Sequence, residues 1–257
     1  MKNFLFELCA ETFEAAQAAE TGGADRIELC SHLSIGGVTP APELLAATVR
    51  ALSIPVHVLI RPRGGDFVFS EDEYIQMRHQ IEQAKHAGAA GIAVGVLLAD
   101  GRVDVERSRE LVAWGRPLSV TFHRAFDETA DLSQALEAVI ETGADCLLTS
   151  GGAPDVLSGA KSIARLRGQA RERLHIMAGG GLKLSNLAEV VRRTGVSYLH
   201  GSLIRRPVER EETNGKTAGN GHHPVNGQAM LEADVRETVR LLREEVAARE
   251  SAVQPAR

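Results

Sequence analysis

The chain has 257 residues, 44% of them hydrophobic and 25% charged, with 25 glycines. That is the composition of a globular protein able to bury a large core, and it argues against a disordered chain. A formal net charge of −5 without any basic run gives no general attraction to polyanions, so neither nucleic acid nor an anionic membrane surface is expected as a partner.

Near the N-terminus, Glu7 interrupts the apolar residues before they reach the length of a secretory leader. Further on, no stretch approaches the roughly 18 apolar residues that span a bilayer. Short apolar or β-branched runs alternate with longer patterns rich in Ala, Leu, Glu and Arg, which is the signature of repeated βα units. Strands are predicted at residues 4–8, 26–29, 55–60, 91–94, 118–122, 146–148, 174–178 and 198–200. A recurring phrase stands between helix and strand: Thr21-Gly22-Gly23-Ala24-Asp25, Ala87-Gly88-Ala89-Ala90-Gly91, Thr142-Gly143-Ala144-Asp145 and Thr194-Gly195-Val196-Ser197. Glycine there ends a helix in the left-handed conformation and turns the chain into the next strand.

Eight such units fill the length of one α/β domain over residues 1–257, a (β/α)8 or TIM barrel. The rival, an open doubly wound sheet, is disfavoured because no Gly-x-Gly-x-x-Gly opens a helix after the first strand. Residues 205–228 read as an exposed polar loop, whose His222-His223 is better explained by solvent than by a metal ion. Residues 231–248 then form a closing helix with Leu231, Val235, Val239, Leu242 and Val246 on one stripe.

Alternation along the strands decides what points to the barrel axis. In Phe6-Glu7-Leu8-Cys9 and Ile27-Glu28-Leu29-Cys30 the apolar members belong against the helices, which sends Glu7 and Glu28 inward and Cys9 and Cys30 to the C-terminal rim. An inward glutamate needs a partner; Arg61, Arg63 and Arg124 are the candidates. One reading makes them an ion-paired plug. The other makes them part of an active site, with Glu7, Glu28 and His123 as catalytic candidates. Arg61-Pro62-Arg63-Gly64-Gly65-Asp66-Phe67 and His123-Arg124-Ala125-Phe126-Asp127 bring guanidinium groups beside short turns, suited to a carboxylate or phosphate. Gly179-Gly180-Gly181 and His200-Gly201-Ser202 end the seventh and eighth strands, where many barrels cradle a phosphate. Substrate-binding candidates on this reading are Arg61, Arg63, Asp66, Arg124, Asp127, Gly180, Gly181, His200 and Ser202. The three cysteines are too few and too odd in number for a disulfide framework and read as free thiols in a reducing cytoplasm. Cys9 and Cys30 could together hold a soft ion such as Cu(I) or simply be partly buried thiols; Cys146 belongs to the core.

Assembled in order, Glu28-Leu29-Cys30, Gly36-Gly37-Val38-Thr39-Pro40, the run from Ile60 to Phe67, Thr121-Phe122-His123-Arg124-Ala125-Phe126-Asp127, Leu148-Thr149-Ser150-Gly151-Gly152 and Met177-Ala178-Gly179-Gly180-Gly181 resemble the CutC copper-homeostasis family. The resemblance runs from about Phe4 to Ser202 and adds Ser150 to the substrate-binding candidates. It implies a barrel, a cytoplasmic location, a homo-oligomer, and a role in copper homeostasis with Cys9 and Cys30 as the Cu(I) ligands. The chain departs from the family at Ala41-Pro42-Glu43, which follows Thr39-Pro40. An enzyme acting on a small phosphorylated or carboxylated molecule at the same mouth is the alternative, so the expected partner is a copper ion or a small anion.

Overall fold

A computed structural model describes residues 4–203 and 224–253. Eight parallel strands close into a barrel in sequence order: β1 (Leu5–Ala10), β2 (Arg26–Leu29), β3 (Val56–Leu59), β4 (Gly91–Val94), β5 (Ser119–Phe122), β6 (Cys146–Thr149), β7 (His175–Gly179) and β8 (Tyr198–Gly201). Around them run α1 (Phe13–Gly22), α2 (Pro42–Ala51), α3 (Glu71–Ala87), α4 (Val105–Gly115), α5 (Leu132–Thr142), α6 (Ala160–Ala170), α7 (Leu184–Thr194) and α8 (Pro224–Val253).

The glycine phrases act as expected. Gly23 and Gly88 take φ of 89° and 83° and donate backbone N–H groups to the last turns of α1 and α3, and Gly143 and Gly195 close α5 and α7 in the same conformation. At the opposite end of α3, Ser70 and Glu73 form a reciprocal capping box.

The period-2 pattern splits the apolar residues into separate clusters. Phe6, Leu8, Ile27, Leu29, Val58, Ile92, Val94, Val120 and Phe122 belong to the large layer between sheet and helices. The alternate residues fill the barrel: Cys9, Cys30, Leu59 and Ala93 form one small cluster, and Cys146, Leu148 and Met177 form another with Leu5 and Tyr198. Strand β4 presents Gly91, Ala93 and, just beyond its end, Gly95. A Cβ on Gly91 would lie 2.4 to 2.6 Å from the His57 ring, and one on Gly95 would lie 2.6 Å from the His123 ring. Small residues on β4 thus open the space that the imidazoles of its neighbours occupy.

The closing helix extends beyond its expected limits at both ends. Residues 224–228, read from composition as the end of the polar loop, belong to α8, which starts at Pro224, where a missing N–H sacrifices no intrahelical bond. Val235, Val239, Leu242 and Val246 are buried as the stripe requires, and Gly22 lets α1 approach Val235 closely. Residues 205–223, with His222-His223, lie outside the described residues. No helix among the described residues is long and apolar enough to cross a membrane.

Replacing Gly91 with Ala is expected to destabilise the barrel by about 1–3 kcal/mol through overpacking against His57. Gly168→Ala, in α6 where no described residue beyond the adjoining helix backbone lies within 4 Å of the new methyl, is expected to stabilise by roughly 0.5–1 kcal/mol. Urea midpoints of the two variants check both signs.

Candidate functional site at the barrel mouth

Strand pairing sets Glu7 beside Arg26 on one side and His200 on the other. Glu7 is 1% exposed; its carboxylate accepts from Arg26 Nε at 2.5 Å and lies 2.7 Å from His200 Nδ1, with His57 Nδ1 at 3.9 Å. Burial alone would raise the Glu7 pKa, but the Arg26 charge, with help from His200 and His57, holds it well below the usual carboxylate range. The partner expected among Arg61, Arg63 and Arg124 is therefore Arg26. The register explains the correction: Arg26 occupies the same layer as Glu7, whereas the other three follow the C-terminal ends of β3 and β5.

One layer higher, Cys9 pairs in register with Glu28. Cys9 Sγ lies 3.5 Å from Cys30 Sγ and 3.7 Å from Glu28 Oε1. Donor atoms of Cys9, Glu28 and His200, all buried, lie within 4.8 Å of one another. The hydrogen bond with Cys30, burial and the nearby Glu28 charge push the Cys9 thiol up. Burial raises Glu28 to about 7, against the opposing pull of His200. Burial works against charging His200, but its hydrogen bond to Glu7 and the charge of Glu28 prevail and raise its pKa. With Nδ1 donating to ionised Glu7, the neutral ring keeps its lone pair on Nε2, the tautomer a metal ligand needs.

Above this floor opens a cavity of about 1310 Å3, lined by Cys9, Glu28, Cys30, Arg61, His123, Arg124, Gly180, Gly181, His200 and Ser202 among others. Glu7 does not line it; it lies beneath, in contact with His200. Arg63 and Asp66 turn away and bind each other, with Arg63 also reaching Glu73 at 2.6 Å. Asp127 and Ser150 tie loops together: Asp127 accepts from Thr149 Oγ1, the backbone N–H groups of Ser150 and Gly152, and Arg124 Nε. That leaves Arg124 anchored by Asp127 and Ser150 at the cavity wall. Cys146 sits in the barrel interior, its pKa pushed to about 12 by burial.

The run of motifs read in the sequence is matched by the CutC family over residues 4–205. The chain belongs to the CutC family. A family protein CutC of Caulobacter vibrioides is 42% identical over 239 residues, covering 93% of this chain and 97% of the relative. A human relative named copper homeostasis protein cutC homolog is 46% identical over 197 residues, 77% of this chain and 72% of its own. The crystal structure of CutC from Streptococcus agalactiae superposes with a TM-score of 0.74 at 30% identity, covering 77% of this chain and 98% of that one. A thiamine phosphate pyrophosphorylase from Pyrococcus furiosus, at 13% identity and a TM-score of 0.59, shares the fold.

Arg26 and His57 are the site residues that sequence reasoning missed. Both carry the inward phase, Arg26 two residues before Glu28 and His57 four before Arg61, so the alternation that found the glutamates also marks them. Both stand near the N-terminal ends of their strands, below the rim where barrel active sites are built.

His57 and His123 are buried and neutral, with pKa values lowered to about 4 and about 3, by burial first and then by Arg26 and Arg61 respectively. Below pH about 6.5 the unfolded chain takes up protons that these rings refuse, so their contribution falls as pH drops. Glu28 and His200, with raised values, work in the opposite sense. A comparison with His123→Asn isolates one ring: between pH 7 and 5 the parent is expected to lose about 2 kcal/mol more stability than the variant. Urea unfolding at both pH values measures this, and equal losses would contradict it.

Proposed function

We propose that this protein binds Cu(I) at the floor of the barrel mouth, as part of copper homeostasis. Cys9 and Cys30 supply the thiolates, and Glu28 and His200 are the neighbouring donors. The observation that carries the reading is the 3.5 Å approach of two buried free thiols at the base of a cavity. Thiolate sulfur is the ligand that a soft monovalent ion selects over harder competitors. The imidazole of His200, held by Glu7 at 2.7 Å, has the carboxylate support common among metal-binding histidines. The name of the human relative, copper homeostasis protein cutC homolog, supports the same assignment. Because both thiols must stay reduced, the proposal includes a cytoplasmic setting.

Anaerobic titration with Cu(I) against a coloured competing chelator tests this. Saturable binding is expected in the parent and in Cys146→Ser, whose thiol lies in a separate interior cluster. It is expected to vanish in the Cys9→Ser, Cys30→Ser double variant. Glu7→Gln, which removes the charge supporting His200, is expected to weaken binding by about 10- to 100-fold. A double variant that takes Cu(I) as tightly as the parent would end the proposal at this site.

A further inference from the structure

The upper wall of the cavity carries chemistry that a thiol floor does not use. Arg61 is 5% exposed. Its Nη1 donates to the carbonyls of Ile35 and Gly37, at 3.3 and 3.0 Å, and its Nη2 donates to the carbonyl of Gly65 at 2.5 Å. These contacts orient the guanidinium, but no carboxylate of the described residues pairs with it at ion-pair distance; Glu128 and Asp66 act on its charge only from farther away. Its Nε is buried and has no acceptor among the described residues. A buried charge is costly unless a counter-charge or a full set of hydrogen bonds offsets it.

His123, also 5% exposed, stands in the same neighbourhood: the Phe67 ring lies 4.5 Å from the Arg61 guanidinium carbon and 5.1 Å from the His123 ring. The backbone N–H of Ala125 donates to His123 Nδ1 at 3.2 Å. That bond makes Nδ1 the acceptor, so the neutral ring carries its proton on Nε2. Nε2 is buried and has no acceptor among the described residues. Glycines make room for both side chains, since a Cβ on Gly36 would lie 3.0 Å from Arg61 Nη1 and one on Gly95 would lie 2.6 Å from His123. The site is thus built into the sequence.

We infer that Arg61 and His123 form an oxyanion site that holds the carboxylate or phosphoryl group of a small molecule within the cavity. Such a group offers lone pairs to the two unmatched N–H donors and a negative charge to the guanidinium. A volume of about 1310 Å3 exceeds what a single metal ion needs and suits an organic ligand. Lys183 on the same lining adds positive charge around its approach, whereas the charge of Arg124 is already paired with Asp127. This site is independent of the copper proposal, because neither residue is among the floor donors.

The test is nuclear magnetic resonance of protein labelled with 15N at histidine, titrated separately with inorganic phosphate and with acetate at ionic strength held constant with chloride. The free protein is expected to show His123 as the neutral Nε2–H tautomer, and phosphate, acetate or both to shift that resonance saturably. Response to acetate alone assigns a carboxylate ligand, and response to phosphate alone a phosphoryl ligand. Calorimetry with the responding anion is expected to show affinity at least about tenfold weaker in Arg61→Gln, the size of one lost charge-assisted hydrogen bond. His123→Asn, which keeps an acceptor for the Ala125 N–H, is expected to weaken binding to the same extent and covers the case that Arg61→Gln misfolds. The Cys9→Ser, Cys30→Ser variant is expected to bind the anion as the parent does. A His123 resonance indifferent to both anions, or parental affinity in both wall variants, overturns the inference.

Discussion

The buried pair of Glu7 and Arg26 is the constraint on which the barrel interior turns. A carboxylate on the axis of a closed sheet can persist only if its charge is matched at hydrogen-bond distance, and the register of β1 with β2 places Arg26 there. Removing either partner would strand the other, at a cost of about 3–5 kcal/mol. Once fixed, Glu7 dictates the tautomer and orientation of His200 across the β1–β8 seam and leaves Glu28, one layer higher, to share the floor with two thiols. The chemistry of the mouth is therefore set from below.

The cavity divides into a soft half and a hard half. Sulfur from Cys9 and Cys30 faces upward from the floor, with oxygen and nitrogen donors beside it. The wall instead carries a clamped guanidinium and a neutral imidazole, both with unmatched donors. The inward positions of β4, Gly91 and Ala93, are glycine and alanine, so the space is held open by the absence of large side chains. One soft ion needs only the floor; the wall is the part on which the inferred anion site rests.

Much of this was legible in the sequence because its two periods are strict. Eight apolar runs separated by helical patterns, with glycine at the helix ends, leave little choice of fold, and strand parity alone sent Glu7, Glu28, Cys9 and Cys30 to the interior. What parity could not supply was height along the axis. Arg61 and Arg26 share the inward phase but stand in different layers, and only the register shows that Arg26 meets Glu7. Composition likewise cannot tell a side chain that lines a cavity from one that ties a loop: Asp127 and Ser150 are polar residues beside the mouth whose hydrogen bonds are spent on Thr149, Gly152 and Ala153. Arg63 and Asp66 satisfy each other outside the cavity for the same reason.

The central claim is that two inward thiols and their carboxylate and imidazole neighbours converge on one ion. X-ray absorption at the copper edge of the Cu(I)-loaded protein tests it most directly. Sulfur scatterers from both cysteines are expected in the parent, with a lighter nitrogen or oxygen neighbour that disappears in His200→Phe or Glu28→Leu. A copper environment without sulfur, or a sulfur signal unchanged in the Cys9→Ser, Cys30→Ser variant, would contradict it.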